Sequence, residues 1–110
     1  MTTVKVEKKE GHVVYLSANG HTGFAEEGSD IVCAALSSII QTAVMGLGKV
    51  AKIEDYSYYF ADADGSMEVR IGDDLNAEER HDEDVIMDVL LCGIADLADG
   101  YPKFIKLEVK

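Results

Sequence analysis

Basic residues are scarce in this chain. There are 10 lysines and arginines against 21 aspartates and glutamates, a net charge of -11, whereas a surface that tracks nucleic-acid phosphates needs clustered Lys and Arg. Direct nucleic-acid binding is excluded on that ground, and the partner an acidic surface suits is itself basic. Long apolar runs are missing too. No stretch approaches the roughly 20 apolar residues that cross a bilayer, and Met1-Thr2-Thr3-Val4-Lys5-Val6-Glu7 lacks the apolar segment of a secretory signal. Together these absences give the expectation of a cytoplasmic protein with no membrane partner. Cysteine is limited to Cys33 and Cys92, which form no metal-spaced pair, and in a reducing compartment a disulfide between them is disfavoured. Each thiol is therefore judged alone. Repeats, linkers and low-complexity tracts are likewise absent.

What is present suits one globular domain, residues 1–110, because 47% hydrophobic and 28% charged residues are ordinary globular usage and the length supports a single core. Val4, Val6 and then Val13-Val14-Tyr15-Leu16 flank Glu10-Gly11 and predict a hairpin. Asn19 to Gly28 holds three glycines among polar residues and predicts a loop. From Ile31 to about Leu47 an apolar segment with few polar breaks predicts a helix closed by Gly48. Val50 to Phe60 and Met67 to Ile71 read as strands joined by Asp62-Ala63-Asp64-Gly65. Glu78 to Ala98 places Val85, Ile86, Val89, Leu90, Ile94 and Leu97 at helical spacing, and Phe104 to Val109 closes the chain as a strand. The order ββαββαβ is that of a two-layer α+β domain with helices packed on a mixed β-sheet. The first helix is apolar around so much of its circumference that one sheet face leaves part of it uncovered, which leads to the expectation of a homodimer.

Cysteine attacks as a thiolate, so the reactive thiol is the one whose surroundings favour negative charge. Ser29 or Asp30 is placed to cap the first helix, which puts Cys33 in its first turn near unpaired N–H groups and the positive end of the dipole. Cys33, Ser37 and Gln41 recur every four residues on one polar stripe, while Val32, Leu36, Ile39, Ile40 and Ala43 face elsewhere. Cys92 falls in mid-helix between Asp88 and Asp96, a setting that keeps a thiol protonated. A thiolate also needs a proton acceptor, and His21 begins the loop that runs into the Cys33 helix, whereas His12 lies on the first hairpin and His81 in an acidic run.

Gly20-His21, followed after a glycine-containing acidic loop by Asp30-Ile31-Val32-Cys33-Ala34-Ala35 and Ser37, is similar to the motif of the bacterial ribosomal-processing cysteine proteases. Element order and length agree with that family over essentially the whole chain. The resemblance implies that His21 is the catalytic histidine, Cys33 the nucleophile, and Asp30 and Ser37 the accompanying polar residues. Asp30 serves equally well as a helix cap, and Ser37 as a donor to its own helix backbone. It further implies a homodimer that removes the N-terminal extension of large-subunit ribosomal protein twenty-seven, without a metal or other cofactor. A second reading is a noncatalytic acidic module that docks on basic ribosomal protein segments; the Cys33-His21 pair distinguishes the two, since docking has no use for a reactive thiol.

Three other patterns are set aside. Asp62-Ala63-Asp64-Gly65 resembles part of a calcium loop, but aligning the glycine puts Phe60 and Ile71 at ligand positions. Asp73-Asp74 and Asp82-Glu83-Asp84 are solvated partners of a helix start. Gly46-Leu47-Gly48-Lys49 lacks the Ser or Thr that follows a phosphate-loop lysine.

The loop carries its own expectation. Gly20, Thr22, Gly23, Phe24, Glu26, Glu27 and Gly28 offer hinges, one apolar anchor and two negative charges for a basic substrate. Reversing the charges of Glu26 and Glu27 is expected to lower kcat/KM for such a substrate and flatten its salt dependence, because exposed charges act through screened steering. Gly23→Pro is expected to lower kcat with an unchanged circular dichroism spectrum. Wild-type kinetics in both variants would mean that the loop does not gate the site.

Overall fold

The computed structural model describes residues 1–20, 29–61 and 66–110, with the backbone alone for Ser29 and Asp30. Two-residue alternation sets the first hairpin. Thr2, Val4 and Val6 point to one side of β1 (Thr2–Lys9), and Leu16 and Ala18 of β2 (His12–Asn19) lie opposite Val6 and Val4 on the same side. The connecting Glu10 and Gly11 both have positive φ, 55° and 83°, as a two-residue hairpin turn matched to strand twist requires. The register slips once, between Glu7 and Lys8.

Three more strands complete one sheet in the order β3-β4-β2-β1-β5: β3 (Tyr56–Ala61), β4 (Ser66–Ile71) and β5 (Ile105–Val109). All neighbours are antiparallel except β1 and β5, which run parallel with Thr2 beside Ile105 and Val4 beside Leu107. The sheet is therefore mixed, as the element order predicts. One face joins Val4, Val6, Leu16, Met67, Val69 and Ile105 to the buried faces of both helices. The other is polar, and there Arg70 stacks on Tyr15 at 4.6 Å and pairs with Glu68.

Helix α1 (Ser29–Met45) lays Val32, Leu36, Ile40, Ala43 and Val44 into the core, the stripe expected from the spacing. Its ends differ from expectation. Ser29 and Asp30 lie within the helix, and beyond Met45 the chain continues as a π-helical turn, Gly46–Val50. Glycines suit that irregular stretch, and at Gly48 a side chain would collide with the Tyr56 hydroxyl. Val50 thus ends a helix and does not start a strand. Between it and β3, Lys52 takes a left-handed backbone (φ 58°), and buried Ile53 returns its N–H to the Leu47 carbonyl.

The segment Ile31–Val50 has the length and composition to cross a membrane, contrary to the expectation from counting uninterrupted apolar residues. Its breaks are Ser, Thr, Gln and Gly, with no charge before Lys49. The sheet-facing stripe of α1 and Leu47 nevertheless belong to the core, and a core helix meets the same measure.

Helix α2 (Ala77–Gly100) starts with a reciprocal cap: the Asn76 side chain accepts from the Glu79 N–H at 2.8 Å, and Glu79 accepts from the Asn76 N–H at 3.0 Å. Removing the Asn76 side chain would cost about 1 kcal/mol. Its inner face is Met87, Leu90, Ile94 and, unexpectedly, Glu83, which is fully buried. One Glu83 oxygen accepts from Arg80 at 2.9 Å, and the other has no partner among the described residues. Asp84, beside it, pairs with His12 at 2.7 Å.

Burial pushes the Glu83 carboxyl up, with the Asp84 charge adding and the Arg80 hydrogen bond opposing. The folded state therefore favours the protonated form. The stability this supplies is full below the ordinary glutamate value and is lost as pH rises from about 4.5 through the raised value. Glu83→Gln keeps an acceptor for Arg80 and removes the titration. Thermal melts from pH 4 to 8 should show a smaller fall in Tm with rising pH for this variant than for wild type, and parallel curves would refute the assignment.

Candidate active site

Cys33 lies one turn after Ser29, the first described residue of α1. Within the helix the Cys33 N–H is engaged with the Ser29 carbonyl, one turn back. Helical side chains lean toward the N-terminus, so the Cys33 side chain is directed back over the preceding turn. The N-terminal side of the helix dipole favours an anion there.

The sulfur is half-buried and faces the sheet corner where β1 begins. Thr2 Oγ1 lies 3.9 Å from Cys33 Sγ. Gly20, which follows β2, occupies the same corner: Thr3 pairs with Asn19, and a side chain on Gly20 would come within 2.5 Å of the Met1 carbonyl oxygen. Its φ of 93° is a second reason for glycine. The strand that leads into His21 and the helix that carries Cys33 thus meet at the first residues of β1. His21, Thr22, Gly23, Phe24, Glu26, Glu27 and Gly28 lie outside the described residues, as does the side chain of Asp30.

Further along the polar stripe, Ser37 is half-buried one turn after Cys33, and Gln41 is exposed. Near Gln41 the Tyr58 hydroxyl is buried without a hydrogen bond of sound geometry among the described residues, and its burial pushes the phenol up. Cys92 has a different setting. It is exposed on α2 with exposed Asp88 and Asp96 one turn to either side. Thr2 is the residue at this corner that the motif does not contain. The alternation Thr2, Val4, Val6 carries the signal for it, because the same inward face of β1 continues to Thr2.

A family model, Cysteine protease Prp, matches residues 1–106. No curated protein sequence matches the chain. Among solved structures, the ribosomal processing protease Prp from Staphylococcus aureus with a substrate peptide is similar at 23% identity and a TM-score of 0.84, with all of both chains covered. The same protease with a covalently linked product peptide is 26% identical, with a TM-score of 0.78 and both chains fully covered. A Streptococcus mutans protein is 24% identical with a TM-score of 0.85, covering 99% of this chain and 93% of its own. These structures share the two helices on a five-stranded mixed sheet, and the match over nearly the whole sequence means that the chain belongs to the Prp family of cysteine proteases.

Proposed function

We propose that the protein is a ribosomal processing endopeptidase that removes the N-terminal extension of large-subunit ribosomal protein twenty-seven, with Cys33 as nucleophile and His21 as general base and acid. The observation that carries this reading is the corner at which Gly20, the residue before His21, and Cys33 meet across Met1 and Thr2. Family membership supports the chemistry and weighs against a noncatalytic docking module. The Staphylococcus aureus relative is a ribosomal processing protease that holds a substrate peptide, which supports a peptide partner here. The acidic net charge of -11 suits a basic ribosomal substrate, and such a substrate favours a cytoplasmic location.

In this mechanism His21 takes the thiol proton, and the Cys33 thiolate adds to the scissile carbonyl carbon. Backbone N–H groups near the start of α1 are the donors for the resulting oxyanion in this reading. Collapse breaks the C–N bond, the leaving amine takes the proton from His21, and a thioester remains. Water then gives a proton to His21 and adds to the thioester; the C–S bond breaks, the acid product leaves, and the proton returns to sulfur. In this reading Asp30 and Ser37 are the supporting polar groups, and Thr22, Gly23, Phe24, Glu26, Glu27 and Gly28 belong to the substrate loop.

A homodimer fits the same reading. Ile31 and Val50 are 73% and 79% exposed, and between α1 and α2 runs an apolar groove of about 460 Å³ lined by Ile39, Ala43, Gly46, Val85, Ile86 and Val89. Light scattering at micromolar concentration is expected to give the mass of two chains, and a one-chain mass would exclude the dimer.

The decisive test is incubation with ribosomal protein twenty-seven carrying its N-terminal extension, with product ends read by mass spectrometry. Wild type and Cys92→Ala should cut once, at the end of the extension, at rates within about twofold of each other. Cys33→Ala should lose at least about a thousandfold in kcat, as loss of a nucleophile does. An intact substrate with wild-type enzyme would remove this substrate assignment.

A further inference from the structure

The neighbour of the Cys33 sulfur comes from the start of the chain's first strand. Thr2 opens β1 with its side chain on the helix-facing side, and it is 6% exposed. Its backbone is fixed by an N–H to the Phe104 carbonyl at 2.8 Å and by parallel pairing with Ile105. A β-branched side chain is also stiff about χ1, so the hydroxyl has little freedom to turn away. Among the described residues, the hydrogen-bond partner that this hydroxyl reaches is Cys33 Sγ.

Packing alone does not call for a hydroxyl here. Valine has the same shape, and the next two residues on this face of β1 are valines, Val4 and Val6. A buried hydroxyl without a partner is costly, so its presence at this position needs a group to bond. The sulfur is that group. In the neutral pair either atom can donate, but a thiolate only accepts, so ionisation of Cys33 fixes Thr2 as the donor.

We propose that Thr2 is a positioning residue for the protease reaction: its hydroxyl donates to the Cys33 thiolate, holding the sulfur's rotamer and stabilising its charge. The proposal rests on Cys33 being the nucleophile. The 3.9 Å separation is that of the resting site; hydrogen bonds to an ionised partner are shorter than neutral ones, and catalytic contacts often tighten only when substrate binds.

The test uses Cys92→Ala as the background, leaving Cys33 as the one thiol that reacts. Iodoacetamide alkylation rates are measured from pH 5 to 10, alongside kcat and KM, for Thr2→Val and Thr2→Ser. Thr2→Val should move the midpoint of the alkylation profile up by about one pH unit and lower kcat about tenfold, with KM little changed. Thr2→Ser should restore both. Thr2→Ser and Thr2→Ala, which differ by the hydroxyl alone, serve as a second pair should valine disturb folding, and they should differ in the same direction. A wild-type profile and kcat in folded Thr2→Val, or identical behaviour of the Ser and Ala variants, would overturn the proposal and leave Thr2 a packing residue. Cleavage by Cys33→Ala would overturn the nucleophile assignment, and the proposal with it. That result is distinguishable, because the alkylation profiles read the sulfur's environment whether or not it attacks substrate.

Discussion

The double pairing of β1 is the constraint on which the rest of the structure depends. It is bonded to β2 on one side and to β5 on the other, so its first residues cannot shift without breaking two ladders. Thr2 and the Met1 carbonyl are thereby fixed, and they in turn set where Gly20 passes and what Cys33 faces. A reactive sulfur needs surroundings held to within a fraction of an ångström, and elements inside a sheet hold position better than loops. The corner obtains that rigidity from backbone hydrogen bonds.

Helix α1 serves two demands that conflict. Its inner stripe, Val32, Leu36, Ile40 and Val44, holds the helix on the sheet, while Cys33 and Ser37 must remain on a polar stripe beside it. The result is a helix with no charge from Ile31 to Gly48 and with apolar side chains such as Ile31 left in water. Surface of that kind is unfavourable on an isolated domain and is what association with a second chain covers. Gly46 and Gly93 line the groove between the helices and face Ile86 and Ile39 across it.

Most of the fold is legible in the sequence, because two-residue alternation, helical spacing and the Glu10-Gly11 turn act locally and agree with one another. The strand expected from Val50 is not, since a π-helical turn arises from packing between Gly48 and Tyr56, which no local period reports. Glu83 escapes for a similar reason: in an acidic helix start it looks solvated, and only its position opposite the sheet buries it. At the site, Cys33 and its polar stripe can be read from spacing, and the His21 assignment comes from the motif. Thr2 cannot be found in the motif, because it is brought there by pairing between the two ends of the chain.

That pairing also sets a time. During synthesis the hairpin of β1 and β2 has its partners within a few residues, but the carbonyl that holds Thr2 belongs to Phe104, and β5 is the last strand. Contacts between distant parts of a chain form late, because loop closure must precede them. The corner around Cys33 is therefore completed only after β5 has emerged from the ribosome. A growing chain carries Cys33 well before it carries the strand that fixes what the sulfur faces.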